Sequence, residues 1–353
     1  MLSRQGIFLT MSFTNFVKAR KRQKTRLNGA GPPSSAAEAM SAARAAMSLA
    51  KSRQYQEEAD APATLRAYEV DYSAYVSWCE QLGFEAVPAQ PDIVGAYLAS
   101  AGEGYSISTL RRRLAAIART SRRLGHPLDA KHPAIRETLR GIARKHGQPV
   151  RQSAALTVEE IKKLCAACDD SLTGARDRAI FLVCFAGALR RSELIGLDVQ
   201  HVKETAEGVT LLIPRSKTDK KGEGQSVSLP YGQSQETCPV SALQAWLALA
   251  SIRSGPIFRK INRGGNVQSR RLCADAIRQI LLKRAKMAGL AGSLLEPISP
   301  HGMRAGFVTT AYNNGVRDEE IMGHTRHRDL STMRRYVRRA KLNTTSPAGK
   351  IGL

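Results

Sequence analysis

The chain has 353 residues, 42% of them hydrophobic, and carries 54 Lys and Arg against 30 Asp and Glu, a formal net charge of +24. That length leaves room for two domains with sizeable cores, and the excess of positive charge is the electrostatic footprint of a phosphate-backbone binder. No apolar run is long enough to span a bilayer, no secretory signal pattern precedes the basic start, and six scattered cysteines suggest no disulfide framework; a reducing cytoplasm is the expected setting.

Residues 1–60 are expected to be poorly structured, with a basic cluster at KARKRQKTR (Lys18 to Arg26), a GPPSS break and an Ala-rich stretch of helical potential. The cluster suits a DNA-contacting arm or a solvated tail, its Arg-rich, acid-poor opening also fits a mitochondrial transit peptide, and Met11 offers a second start. Residues 61–148 read as a compact helical domain. TLRAYEVDYSAYVSWCEQLG has aromatic and apolar residues at helical spacing and ends at Gly83, PDIVGAYLASAG opens near Pro91, and STLRRRLAAIARTSRRLG starts at a Ser/Thr cap. The last of these sets Arg111, Arg112, Arg113, Arg119, Arg122 and Arg123 around an Ala/Leu/Ile seam. HPAIRETLRGIARKHG adds Arg136, Arg140, Arg144 and Lys145. These arginines are candidates for phosphate contacts along a duplex or in its major groove.

GQPVRQSAAL, residues 147–156, reads as a polar joint between domains that would let them close around a duplex. TVEEIKKL then has a capping-box start and opens a mainly helical second domain from Thr157. Cys165 and Cys168 form a CxxC, but no second ligand pair follows, so they read as two small core residues and no metal is expected. RAIFLVCFAGALRRSELIGLDV, residues 178–199, is an apolar helix interrupted at Gly187 and followed by Arg190, Arg191, Ser192 and Glu193; Glu193 is placed to hold one guanidinium. VTLLIPRS, KTDKKGEG and QSVSLP read as two strands around a polar loop, a hairpin carrying Lys217, Lys220 and Lys221.

The densest chemistry lies in PHGMRAGFVTTAYNNGVRDEEIMGHTRHRDLSTMRRYVRRA, Pro300 to Ala340. Ser299 is a helix cap, Pro300 fits the first helical position, and Asn313, Asn314 and Gly315 mark the end. His301 and Arg304, three apart, then share a face near an N-terminus that favours anions. Tyr336 sits among Arg334, Arg335, Arg338, Arg339 and Lys341; Tyr312 is a rival on helical phase but lies in an apolar stripe and reads as packing.

GALRRSEL, then HGMR, then a histidine nine positions before a tyrosine resemble the arginine, HxxR and histidine–tyrosine boxes of the tyrosine recombinases, the phage-integrase family. On that resemblance Arg190, His301, Arg304 and Tyr336 match the first arginine, the HxxR pair and the nucleophile. His327 matches the second histidine by its spacing, with His324 as the competitor because the family writes a glycine-histidine dipeptide there. Lys217, in RSKT, resembles the family's hairpin lysine best, with Lys220 and Lys221 as competitors.

The implied fold is mainly α with a small antiparallel β-sheet: a helical core-binding (SAM-like) domain over 61–148, a linker over 149–156, an α+β catalytic domain over 157–340 and a tail over 341–353 that docks on a neighbouring subunit. The implied activity is site-specific recombination of duplex DNA through a covalent 3′-phosphotyrosine, with no metal, ATP or other cofactor, in a homo-tetramer aided by accessory DNA-bending or directionality proteins. Arg190, Arg304 and His327 would stabilise the transition state, Lys217 would protonate the leaving oxygen and His301 would deprotonate the tyrosine. Two other readings share these features: relaxation of supercoils by a monomeric type IB topoisomerase, and a silent DNA-binding regulator.

Overall fold

A computed structural model describes residues 36–149, 151–214, 219 and 223–344, and the chain divides into two compact units, Met1–Gln148 and Pro149–Leu353. The first unit begins with helix α1 (Ala36–Glu58), whose alanines favour the helical state and whose described side chains are exposed along its length. This helix lies in the Ala-rich stretch whose composition gave it helical potential.

Four helices follow: α2 (Pro62–Leu82), α3 (Pro91–Ser100), α4 (Ile107–Arg123) and α5 (Pro133–His146). Their ends follow the local chemistry. Gly83 takes the left-handed conformation (φ 72°) that terminates α2, proline opens α2, α3 and α5, and the Ser106 side chain accepts from the Thr109 N–H at the start of α4. Tyr75, Val94, Leu98, Leu110, Ile117 and Ile135 are completely or almost completely buried between them, and α2 packs on α4 as α3 packs on α5. A Cβ on Gly95 would lie 3.1 Å from the Ala134 carbonyl oxygen, which lets α3 approach α5 closely.

In the second unit, α6 (Val158–Ala166) starts at the expected capping box, with the Thr157 N–H donating to Glu160 at 2.7 Å. The central helix α7 (Leu172–Ala186) is buried along Ala179–Cys184, and α8 (Arg191–Gly196) follows after a tight turn. Strands β1 (Val202–Thr205), β2 (Gly208–Ile213) and β3 (Gln225–Pro230) form an antiparallel sheet in that order, with Leu211 opposite both Val202 and Val227. The expected hairpin is β2–β3. Helix α9 (Pro239–Leu249) buries Trp246, whose indole N–H donates to the Ile257 carbonyl, and a second hairpin pairs β4 (Arg259–Ile261) with β5 (Val267–Arg271). Helices α10 (Ala274–Met287), α11 (Pro300–Asn313), α12 (Asp318–Thr325) and α13 (Leu330–Thr344) complete the unit.

The polar joint is not free along its length. The N–H groups of Gln152, Ala154 and Leu156 donate to the carbonyls of Leu295, Pro297 and Gly302, so the segment is pinned along the approach to α11 and over its first turn. Cys165 and Cys168 lie in the hydrophobic core, where burial pushes their thiols up to about 12 and about 11. Among the described residues no helix is long and apolar enough to cross a membrane, and no group of three or more His, Cys, Asp or Glu is placed to hold a metal ion.

Candidate active site

Helix α11 supplies the centre. Gly302 and Gly306 flank Arg304 because the 154–156 segment crosses there: a Cβ would come within 2.2 Å of the Ala154 oxygen at the first and 1.7 Å of the Leu156 oxygen at the second. Ser299 is the N-cap residue, but its hydroxyl bonds to Ser153 instead of capping the helix. Arg304, only 1% exposed, donates to the carbonyls of Ala188 (2.5 Å) and Thr325, and its Nη2 faces His327 Nε2 at 3.3 Å.

The Ala188 carbonyl is available because α7 stops at Ala186. Gly187 and the left-handed Ala188 (φ 44°) turn the chain, and Arg190 then caps α8. Glu193, buried in that helix, accepts from the Arg190 backbone N–H at 2.9 Å and from Arg190 Nη1 at 2.6 Å. The Arg190 side chain is 19% exposed, and Glu193 engages its Nη1, which leaves further N–H groups of the guanidinium for a ligand.

The end of α12 closes the far side. Arg326 adopts the left-handed conformation (φ 59°, ψ 39°), sends its guanidinium back to Glu193 Oε2 at 2.9 Å, and so presents His327 to the cleft. The Thr325 hydroxyl gives its single proton to the Ile321 carbonyl (2.6 Å) and must accept from His327 Nδ1–H (2.6 Å), which leaves the His327 Nε2 lone pair toward Arg304. His324 is held elsewhere, bonded to the Ala186 carbonyl at 2.7 Å and stacked on Phe307 with ring centroids 4.6 Å apart.

Helix α13 docks through Met333 and Val337 onto Val308 of α11 and Ile321 of α12. Asp329 anchors its start by accepting from the N–H and hydroxyl groups of Ser331 and Thr332. That packing sets the Tyr336 hydroxyl 2.7 Å from His301 Nε2 and its ring 6.0 Å from that of His327. Tyr312 instead packs against the Val308–Ile321–Met333 cluster.

The charges of the cleft bias every group. Burial, then the charges of Arg304 and Arg190, lower His327 to about 3, so the imidazole is neutral at neutral pH. His301 is also lowered, by loss of hydration and then by Arg304 and Arg190. Burial and Arg190 draw the Arg304 guanidinium down to about 9, still charged at neutral pH. Burial raises the Tyr336 phenol more than Arg304, Arg190 and Arg335 lower it, so it starts protonated. For Glu193 burial works upward, but the Arg190 N–H, Arg326 and the Arg190 side chain outweigh it and hold the carboxyl below its ordinary value.

Of the residues expected at the site, the structure brings together Arg190, Glu193, His301, Arg304, His327 and Tyr336; Lys217, with Lys220 and Lys221, lies outside the described residues. On α4 and α5, Arg111, Arg122, Arg123, Arg140 and Arg144 are exposed. Arg112 grips Asp71 at 2.7 and 3.2 Å and Arg119 pairs with Asp60 at 2.7 Å. Arg113 is a correction: it is buried, donates to the Tyr97 hydroxyl at 3.0 Å and lies 3.8 Å over the Tyr105 ring, so it holds the helices together and does not face a duplex. Its phase was readable, since Leu110, Arg113, Leu114 and Ile117 form one inward stripe of α4. Sequence reasoning missed Arg326 altogether. The available signal was a non-glycine residue just before His327, where the family's dipeptide has glycine.

Known proteins resemble this chain in sequence and in fold. Residues 154–343 match the model of the phage integrase family. An integrase/recombinase xerD homolog of Selenomonas ruminantium is 31% identical over 296 residues, 83% of this chain and 86% of that protein. Among solved structures, the XerH site-specific recombinase in a post-cleavage complex with palindromic difH substrate overlays with a TM-score of 0.58 at 17% identity, over 80% of this chain and 78% of that one. A lambda integrase tetramer bound to a Holliday junction overlays with a TM-score of 0.52 at 13% identity, over 76% and 70%. With its family model matched over more than half its length and its cleft built from the boxes that first suggested the resemblance, the chain belongs to the phage integrase family, the tyrosine recombinases.

Proposed function

We propose that this tyrosine recombinase cleaves and rejoins duplex DNA with Tyr336 as nucleophile. The observation that carries this reading is the 2.7 Å contact between Tyr336 Oη and His301 Nε2, at the edge of a cleft lined by Arg304, Arg190 and His327. A neutral imidazole can accept the phenolic proton as the tyrosine oxygen attacks phosphorus; the P–O5′ bond breaks, and the 3′-phosphotyrosine forms with a free 5′-hydroxyl. One phosphodiester replaces another, so bond energy is conserved and the reaction needs no nucleotide cofactor.

Charge accumulates on the nonbridging oxygens in the transition state. Arg190 and Arg304 are preorganised to receive it, each such donor being worth about 3 kcal/mol of barrier. His327 enters the free cleft neutral, with its Nε2 lone pair toward Arg304; an arriving phosphate favours its protonation and turns Nε2 into a donor. Lys217 would protonate the departing 5′-oxygen. The duplex is the partner, and the strand exchange proceeds in a homo-tetramer, an arrangement in which the neighbouring lambda integrase has been solved. The exposed arginines of α4 and α5 supply sequence-independent affinity for the duplex.

The test is a two-site reaction in EDTA with full-length protein. Two plasmids, each carrying a duplex site that the chain selects from a random-sequence library, should yield reciprocal recombinants. Relaxation of a single plasmid without exchange would point to topoisomerase chemistry, and binding without either product would point to a silent regulator.

A further inference from the structure

Arg326 stands where the family's dipeptide has glycine, and a cationic side chain in GHTRHRD would be easy to take for one more surface contact for DNA. It is nothing of the kind. Its side chain is 3% exposed, and its backbone sits at φ 59°, a conformation that L side chains rarely adopt. The guanidinium is spent inward. Nη1 donates to the His324 carbonyl at 2.8 Å and the Gly187 carbonyl at 3.3 Å, while Nη2 donates to Glu193 Oε2 at 2.9 Å and lies 3.4 Å from the Ala188 carbonyl; Nε is buried without a hydrogen-bond partner among the described residues.

These contacts join two turns far apart in sequence. One is the 187–193 turn, in which Ala188 is itself left-handed and offers one carbonyl to both Arg304 and Arg326. The other is the turn that ends α12 and delivers His327. Glu193 is the shared anchor: its two oxygens accept from the Arg190 N–H, the Arg190 side chain and Arg326. Without Arg326, one carboxylate oxygen loses its charged partner, the carboxylate draws harder on Arg190 alone, and the His327 turn loses its direct link to that anchor, keeping only the ties that Arg304 and His324 make to the Ala188 and Ala186 carbonyls.

We infer that Arg326 is a positioning residue for strand cleavage, which locks the Arg190 turn to the His327 turn so that both phosphate ligands stand in register with Arg304. It acts through Glu193 and touches no substrate, because its terminal nitrogens already face protein acceptors. The inference rests on the reading that Arg190 and His327 act on the scissile phosphate.

A purely structural helix cap would behave oppositely. Glycine suits a left-handed position better than arginine, so Arg326→Gly would be neutral or favourable if the backbone alone mattered. The experiment measures single-turnover formation of the covalent adduct by full-length wild type, Arg326→Gly and Arg326→Lys. The substrate is a nicked duplex carrying the site selected by the chain, assayed from mildly acidic to mildly basic pH, with binding of the intact duplex and circular dichroism recorded alongside. Arg326→Gly should cleave on the order of 100-fold more slowly while binding within about threefold of wild type, the loss expected of misplaced groups.

The pH profile separates positioning from general loosening. Glu193 faces Arg190 on its own turn, Arg326 from α12, Arg304 from α11 and Cys184 from α7. Its carboxyl is held low in the wild type, so its contribution is lost below the ordinary carboxylate range. Removing one of its cations raises it toward the His301 titration that sets the acid limb of the wild type, so the acid loss of Arg326→Gly should begin closer to neutral pH. Cleavage by Arg326→Gly within threefold of wild type, or slow cleavage with an unmoved profile, overturns the inference. Should the glycine variant fail to fold, Arg326→Lys decides: it keeps the charge but lacks the fork, so roughly tenfold slower cleavage supports positioning and a wild-type rate overturns it. If wild type forms no adduct on DNA that it binds, the underlying functional reading has failed, and that result is distinct from every variant outcome.

Discussion

Arg304 and Arg326 of the second unit have almost no contact with solvent and are surrounded by backbone carbonyls, whereas Arg111, Arg122, Arg140 and Arg144 of the first unit stand exposed on α4 and α5. One residue type thus serves two purposes. In the cleft, the carbonyls of Ala188 and Thr325 fix the Arg304 guanidinium before any ligand arrives, so little reorganisation is left for the reaction. On the helices, a long solvated side chain can follow an irregular phosphate backbone but must be ordered as it binds. Arg113 crosses the division, because it lies in the first unit and is buried like the cleft arginines.

The contrast is open to attack at several strengths. Replacing Arg304 by alanine should have the largest effect of the arginine changes, slowing adduct formation by at least ~100-fold through loss of about 3 kcal/mol of transition-state stabilisation. It should also lower unfolding stability by about 1–3 kcal/mol, since the Ala188 and Thr325 carbonyls lose a buried donor. A variant that unfolds normally yet cleaves normally would break the account of the cleft.

His301 comes next. The group needs its neutral form to accept the tyrosine proton, and its pKa in the free protein is depressed, so activity should stay flat through neutral pH and fall only as pH drops through a value below the ordinary histidine range. The second-order cleavage rate at subsaturating DNA reports that value. His301→Gln should cost roughly 100-fold and abolish the limb. A limb at or above the ordinary histidine value, removed by the same change, would contradict the electrostatics of the cleft.

Smaller effects test the other side. Arg113→Ala should destabilise the first unit by about 2 kcal/mol in chemical denaturation, through the lost Tyr97 hydrogen bond and the stacking on Tyr105, and leave the salt dependence of DNA binding unchanged. Arg144→Ala should do the reverse, with stability within about 0.5 kcal/mol of wild type and a log–log salt slope shallower by about one. If both behave alike, burial is not what separates the two kinds of arginine.

Much of the cleft was legible because its signals are local. The three-residue step from His301 to Arg304, the break in an apolar helix before Arg190 and Arg191, and the alternating strands around a polar loop all state their geometry in a few neighbouring positions. Arg326 was not legible for the opposite reason. Its burial depends on Glu193, which is 133 positions away, and on two carbonyls freed by the turn at Gly187 and Ala188. Arg113 is an intermediate case. Its helical phase pointed inward, but its partners lie on other helices, and three consecutive arginines read as charge before they read as phase. Helix α1 was expected only in outline, since an alanine-rich sequence permits a helix without any buried face to specify its length.

The measurement that bears most directly on the cleft as a unit is adduct formation on a nicked suicide duplex in EDTA by wild type, Tyr336→Phe and Tyr312→Phe. The account predicts a denaturation-resistant protein–DNA adduct from wild type and Tyr312→Phe and none from Tyr336→Phe, with Tyr336→Phe still binding the duplex. An adduct that survives Tyr336→Phe would contradict it, because the hydroxyl beside His301 would then not be the nucleophile.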